Sequence, residues 1–236
     1  MKIKGYIFDY GGTLDTAGCH WGKMLWHTYQ EQQVPITEEL FREAYIYAER
    51  TLGKNPIIQP DYTFRKTLEV KVRIEMEWLE ERLKEIGKEM QLLSCCHQKV
   101  VDSLYNQIKV QTARSREVLS VLKDKYPLVL VSNFYGNLQV VLEEFGLDGL
   151  FLSVVESAVV GIRKPDSRIF MLGVDALRMT TGEVAVVGDS IKKDIMPSKS
   201  IGCRTIWLKG EGWTNEPEDN IKPDKIITKL SELIEE

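Results

Sequence analysis

The chain has 236 residues, 43 % of them hydrophobic and 28 % charged, with 31 basic residues against 35 acidic ones and a net charge of −4. This balance excludes a disordered chain, which carries fewer apolar residues and a larger charge imbalance, and it offers no global positive field to gather nucleic acid. No apolar run approaches the roughly 18 to 20 residues that span a bilayer, and the opening MKIKGYIFDYGG does not resemble a signal peptide.

Residues 3–8 form a short apolar run that ends at Asp9-Tyr10-Gly11-Gly12, which predicts a buried strand followed by a turn. From residue 16 to about 110 no strand pattern is visible. Trp21, Trp26 and Tyr29 read as core of this helical segment, while His20, Lys23 and His27 read as a solvated face. Leu68, Val72, Met76, Leu79, Leu83, Ile86 and Met90 recur at intervals of three and four and make one stripe of a helix. Val70, Ile74 and Trp78 add a second stripe, so its first half is covered on two sides or lines a cleft. The Glu/Lys-rich composition of residues 66–89 predicts one wet face. Four cysteines, Cys19, Cys95, Cys96 and Cys203, fit neither a zinc spacing nor a disulfide framework. A reducing, cytoplasmic setting is expected.

Beyond residue 110 the pattern alternates. An amphipathic helix over 115–126 precedes the apolar run 128–131, of the kind a parallel strand shows. A helix over 137–145, a strand over 153–155, a helix opened by Pro165 and a fourth apolar run over 184–187 follow. Short strands over 205–208 and 225–227 and a closing helix over 229–235 complete the chain. The pattern predicts an α/β fold, a Rossmann-like parallel sheet with helices on both faces. Residues 16–109 are then an inserted α-helical domain, hinged near 15 and 110 on a core of residues 1–15 and 110–236.

In an open parallel sheet, ligands bind beyond the carboxyl ends of the strands. The polar residues that directly follow the apolar runs are Asp9, Ser132 with Asn133, and Asp189; Lys164 precedes Pro165. Two carboxylates from neighbouring strands make a hard oxygen site suited to Mg²⁺. A hydroxyl, a helix start and a lysine suit a phosphate dianion. Together they can hold a phosphoryl group against a nucleophilic carboxylate, and both Mg²⁺ and Lys164 favour the ionised form of Asp9.

These residues carry a resemblance. Phe8-Asp9-Tyr10-Gly11-Gly12-Thr13-Leu14-Asp15 resembles the first motif of the haloacid dehalogenase-like hydrolases, Val131-Ser132-Asn133 the second, Arg163-Lys164-Pro165-Asp166 the third, and Val187-Gly188-Asp189-Ser190 with Asp194 the fourth. The helical insertion is similar to the cap of the subfamily that includes 2-haloacid dehalogenases, phosphoglycolate phosphatase and β-phosphoglucomutase. The resemblance implies that Asp9 attacks phosphorus and forms an aspartyl phosphate. It also implies that Thr13, Ser132 and the Asn133 amide contact the phosphoryl oxygens, and that Lys164 bridges phosphate and nucleophile. Asp9, the Gly11 carbonyl and Asp189 then bind Mg²⁺, with Asp194 as ligand or outer support.

One position departs from the pattern. Phosphatases of the family carry a second aspartate two residues after the nucleophile, where it protonates the leaving alcohol; here that residue is Gly11. Loss of a general acid costs about 10²- to 10⁴-fold in rate, so acyl phosphates and aryl esters are better candidates than alkyl phosphates, unless Asp15 or His20 supplies the proton. Haloacid dehalogenases of the family carry a tyrosine there, so Gly11 argues against dehalogenation. The expected activity is hydrolysis of a small phosphorylated metabolite. The alternative is a catalytically weak protein that binds a phosphorylated ligand or a protein partner.

Overall fold

The apolar runs assemble into one sheet of six parallel strands in the order β3-β2-β1-β4-β5-β6. The computed structural model describes residues 2–213 and 222–235. Strand β1 (Gly5–Phe8) is followed by five helices, α1 (Trp21–Glu31), α2 (Glu38–Lys54), α3 (Phe64–Glu85), α4 (Leu92–Cys95) and α5 (His97–Lys123). Then come β2 (Leu128–Ser132), α6 (Leu138–Glu144), β3 (Ser153–Glu156), α7 (Ser157–Val160), α8 (Arg168–Leu177), β4 (Val184–Gly188), α9 (Met196–Ser200), β5 (Arg204–Leu208) and β6 (Lys225–Ile227). The α/β class, the parallel sheet and the helical stretch between the first two strands are as the sequence predicts.

The central strands are buried on both faces, so they read as continuous apolar runs rather than alternating ones. Tyr6 and Phe8 point into one core with Leu128, Leu130, Ala185 and Val187. Ile7 points to the other face, where Val129, Val131 and Val186 meet Ile169, Phe170 and Val174. Helix α8 lies close on that face because Gly173 has no side chain: a Cβ there would stand 2.8 Å from Ile7 Cδ1 and 2.9 Å from Val131 Cγ2.

In the helical segment α2 packs on α3, and α3 on α5. Thr37 and Thr63 cap α2 and α3 by accepting from Leu40 N–H and Lys66 N–H. Leu68, Val72, Met76, Leu79 and Leu83 are buried, as their spacing predicts. Helix α3 stops at Glu85, however, and Ile86 is exposed. Lys71 and Glu75 are buried as well, so α3 is less wet than its composition suggests.

Three other expectations are corrected. Helix α5 runs unbroken through residue 110 to Lys123, so no chain break marks the hinge expected there and residues 115–126 form no separate helix. Buried Thr112 and Ser115 hid the continuity, because polar residues on the inner face interrupt the apolar stripe. Thr112 donates back to Ile108 O, and Ser115 donates to Leu14 O at 2.7 Å. Pro165 follows a cis peptide bond and does not open a helix, which begins at Arg168. The closing helix is a single tight turn over Leu230–Leu233, closed by the Glu232 carboxylate, which accepts from the Thr228 and Lys229 backbone amides.

Candidate active site

Strand register places the chemistry. Phe8 lies opposite Leu130 of β2 and Val187 of β4, so Asp9, Ser132 and Asp189 leave the sheet side by side at its carboxyl edge. The Asp9 amide continues the ladder by donating to Val187 O at 3.0 Å. Gly12 then turns the chain at φ +99°, where a Cβ would stand 2.5 Å from the Asp189 carboxyl. Glycine is required there on both counts.

Lys164 is 4 % exposed, and its ammonium donates to Asp9 Oδ1 at 2.5 Å and to Asp194 Oδ1 at 2.8 Å. The loop that carries it is pinned by Asn133, whose carboxamide accepts from Lys164 N–H and donates to Lys164 O at 2.9 and 3.1 Å. Asp194 sits in a wide turn over Ile191–Ile195, and its second oxygen accepts from Ser190 N–H at 3.0 Å. Asp189 is fixed from behind by Trp207, whose indole donates to Asp189 O at 2.8 Å. Thr13 is fully buried between the carboxylates. It lies 3.4 Å from Asp9 Oδ2 and 3.2 Å from Asp189 Oδ1, and accepts from Asp189 N–H at 3.1 Å. Thr13 therefore ties the first motif to the fourth and does not line the cavity, unlike Ser132 and Asn133.

Oxygens of Asp9, Asp189 and Asp194 come within 4.8 Å of one another. Burial pushes the Asp9 carboxyl up; Lys164 draws it down, Asp194 raises it further, and the outcome is above the ordinary value. Burial, Asp194 and Asp9 push Asp189 well above it. Burial disfavours the Lys164 charge, but Asp194 and Asp9 outweigh it and hold the ammonium above its usual range. Lys164 thus favours ionised Asp9, as the sequence suggests, but alone does not offset the burial of these carboxylates. Three hard oxygen donors short of positive charge fit a divalent cation such as Mg²⁺.

The cavity that contains Asp9 has a volume of about 270 Å³ and is closed on its far side by the helical segment. That side supplies His20, Trp21, Tyr45, Glu49, Phe64 and Lys71. Lys71 pairs with Glu49, and its ammonium lies 4.7 Å from the Tyr45 ring centroid and 5.6 Å from that of Trp21. Tyr135, from the loop after β2, donates to Glu49 at 3.3 Å and so joins the two walls. Trp26 and Tyr29 are core, as predicted, but Trp21 faces the cavity. None of Tyr45, Glu49, Lys71 and Tyr135 stood out in the sequence; the available signal was the charge of Lys71 and Glu75 at buried spacing between Leu68 and Leu79.

The proposed proton donors are both engaged. Asp15 is fully buried and accepts from Gly12 N–H at 2.7 Å and from the Trp21 indole at 3.0 Å. Burial pushes its carboxyl up to about 8, against the pull of those bonds. His20 caps α1, its Nδ1 accepting from Gly22 N–H at 3.0 Å. Burial, with Lys193 and Lys71, lowers it to about 4, so at neutral pH it is an uncharged ring with its proton on Nε2.

Comparison with known proteins finds similarity to phosphatases and to a dehalogenase fold. A glyceraldehyde 3-phosphate phosphatase of Pyrococcus furiosus is 33 % identical over 90 residues, 38 % of either chain. A phosphoserine phosphatase of Thermus thermophilus is 34 % identical over 88 residues, 37 % of this chain and 34 % of that protein. The chain thus spans well under half the length of these relatives. A dehalogenase solved with an intermediate complex superposes with a TM-score of 0.62 at 21 % identity, over 98 % of this chain and 96 % of that one, which shows the shared fold. Residues 3–202 match the family described as haloacid dehalogenase-like hydrolase. With the motif residues gathered at the carboxyl edge of a parallel sheet, the chain belongs to the haloacid dehalogenase-like hydrolases.

Proposed function

We propose that this hydrolase is a Mg²⁺-dependent phosphatase of a small phosphorylated metabolite, working through an aspartyl phosphate on Asp9 in the cytoplasm. The observation that carries the proposal is a buried Asp9 at the end of the central strand, paired with Lys164 on one oxygen and flanked by Asp189 and Asp194. The relatives named above as phosphatases support the same chemistry. Residues 1–15 and 110–236 act as the core, and residues 16–109 as a cap that excludes water from the cavity.

Asp9, Asp189, Asp194 and the Gly11 carbonyl would hold the cation. When bound, Mg²⁺ neutralises phosphoryl charge and draws the Asp9 carboxyl into its ionised form. Ser132 and the Asn133 amide orient the phosphoryl oxygens. Asp9 attacks phosphorus as the bond to the leaving oxygen breaks, and the electron pair departs on that oxygen. Lys164 holds the nucleophile in place and balances charge as the phosphoryl group arrives. Water then cleaves the aspartyl phosphate and returns free Asp9. Thr13 positions Asp9 against Asp189.

The test is turnover of 4-nitrophenyl phosphate and acetyl phosphate with Mg²⁺. We expect hydrolysis that Asp9→Asn lowers by at least about 10³-fold, in line with loss of a covalent nucleophile. Hydrolysis that survives in Asp9→Asn refutes the proposal. Absence of hydrolysis with either ester favours the second reading, a ligand-binding protein, which rests on the missing carboxyl at Gly11.

A further inference from the structure

Two features of the cavity bear on what the phosphoryl group is attached to. The first is the absence of an acid. Gly11 has no side chain, Asp15 is fully buried outside the cavity lining with its carboxyl held by Gly12 N–H and the Trp21 indole, and His20, lowered to about 4 by burial, is an uncharged ring at neutral pH. The leaving oxygen therefore departs as an anion, and that anion must be stable in its own right. The second is the wall opposite the carboxylates. Trp21, Tyr45, Phe64 and Tyr135 supply ring surface, and the Lys71 ammonium lies against the faces of Tyr45 and Trp21. Lys71 is 7 % exposed and has Glu49 as its carboxylate partner.

A cation set among aromatic faces suits an oxyanion carried on a ring: the charge meets the oxygen while the ring stacks. An apolar space of about 150 Å³ takes a benzene ring, so about 270 Å³ accommodates one ring beside a phosphoryl group. Resting on the phosphatase reading above, we propose that the substrate carries its phosphoryl group on an aromatic hydroxyl, with the ring among Trp21, Tyr45 and Tyr135 and Lys71 as the specificity-determining cation. The bond between phosphorus and the aryl oxygen breaks and its electron pair leaves as phenolate. A new bond joins phosphorus to an Asp9 oxygen, and the phenolate takes a proton from water after release.

The experiment compares phenyl phosphate with cyclohexyl phosphate and acetyl phosphate, all with Mg²⁺, and measures binding of phenylphosphonate against cyclohexylphosphonate by calorimetry. We expect phenyl phosphate to exceed cyclohexyl phosphate by at least about 10² in kcat/KM, the range a missing acid imposes. Phenylphosphonate should bind about tenfold tighter than its saturated counterpart, the scale of one good ring contact. Tyr135→Leu, a half-buried loop position, should remove most of that binding difference, and Lys71→Met should lower kcat/KM for phenyl phosphate in particular. The ring assignment is overturned if cyclohexyl or acetyl phosphate is the better substrate, if the two phosphonates bind alike, or if Tyr135→Leu leaves their difference intact. Asp9-dependent turnover of cyclohexyl phosphate at the aryl rate overturns this proposal alone. No Asp9-dependent turnover of any ester overturns the phosphatase reading and this one with it.

Discussion

Gly11→Asp places a carboxyl where related phosphatases keep their acid, and the structure allows it. A Cβ at position 11 would stand 3.5 Å from Trp21 Nε1, 3.8 Å from Trp21 Cδ1 and 4.0 Å from Asp15 Oδ2, all ordinary contacts. Gly11 is not among the positive-φ glycines, so a side chain adds no backbone strain. With Asp15 held up to about 8 by burial, its carboxyl is mostly protonated at pH 7 and repels the newcomer little. A working acid then contributes about 10²- to 10⁴-fold, or about 3 to 5 kcal/mol of barrier, on substrates whose leaving oxygen needs a proton. The assay is kcat across esters graded by leaving-group pKa. Cyclohexyl phosphate should gain by at least about 10², 4-nitrophenyl phosphate by less than about tenfold, and the dependence on leaving group should flatten. An equal gain on both, or none in a variant that melts like the wild type, refutes the reasoning.

Two other predictions concern stability. Mg²⁺ at about 100 times its dissociation constant should raise unfolding free energy by about 2.7 kcal/mol, measured by denaturant titration, and Asp189→Asn should remove most of that increment without any assay of activity. Glu75 is fully buried, accepts from Tyr29 at 3.0 Å on one oxygen and has no partner on the other. Burial raises it from 4.5 to about 7, so the folded chain keeps a proton that the unfolded chain releases, and stability falls as pH rises across that window. Glu75→Gln should therefore stabilise by about 1 to 3 kcal/mol at pH 8 and by almost nothing at pH 4.5; equal effects at both pH values would count against a charged Glu75.

The core and its catalytic edge were legible because parallel strands announce themselves twice, as apolar runs and as the polar residue that ends each run. Asp9, Ser132, Asn133 and Asp189 came from that rule and Lys164 from its place before Pro165, and the structure gathers them within one cavity. Thr13 shows the limit: its spacing places it near Asp9, but only packing shows its hydroxyl turned toward Asp189. The far wall was not legible. Glu49, Lys71 and Tyr135 meet through the packing of α2 on α3 and of both against the loop after β2, and no short-range pattern encodes such contacts. Helix α5 was split in the sequence because its buried face changes from apolar to Thr112 and Ser115, whose hydroxyls are satisfied by backbone carbonyls.

The position of β1 has a consequence for how the chain is made. It is an early segment of the sequence and yet a central strand of the sheet, flanked by β2 and β4. Leu128 follows Phe8 by 120 residues, so at about 5 to 20 residues per second on the ribosome β1 emerges about 6 to 24 s before its first partner exists. All four of its residues are buried in the finished sheet. The helices between can fold meanwhile, because their contacts are local, and in doing so they draw the ends of a long loop together and lower its closure entropy. The strand that ends at Asp9 thus stands without its partners while the insertion is made, and the folding of that insertion eases the pairing once β2 exists.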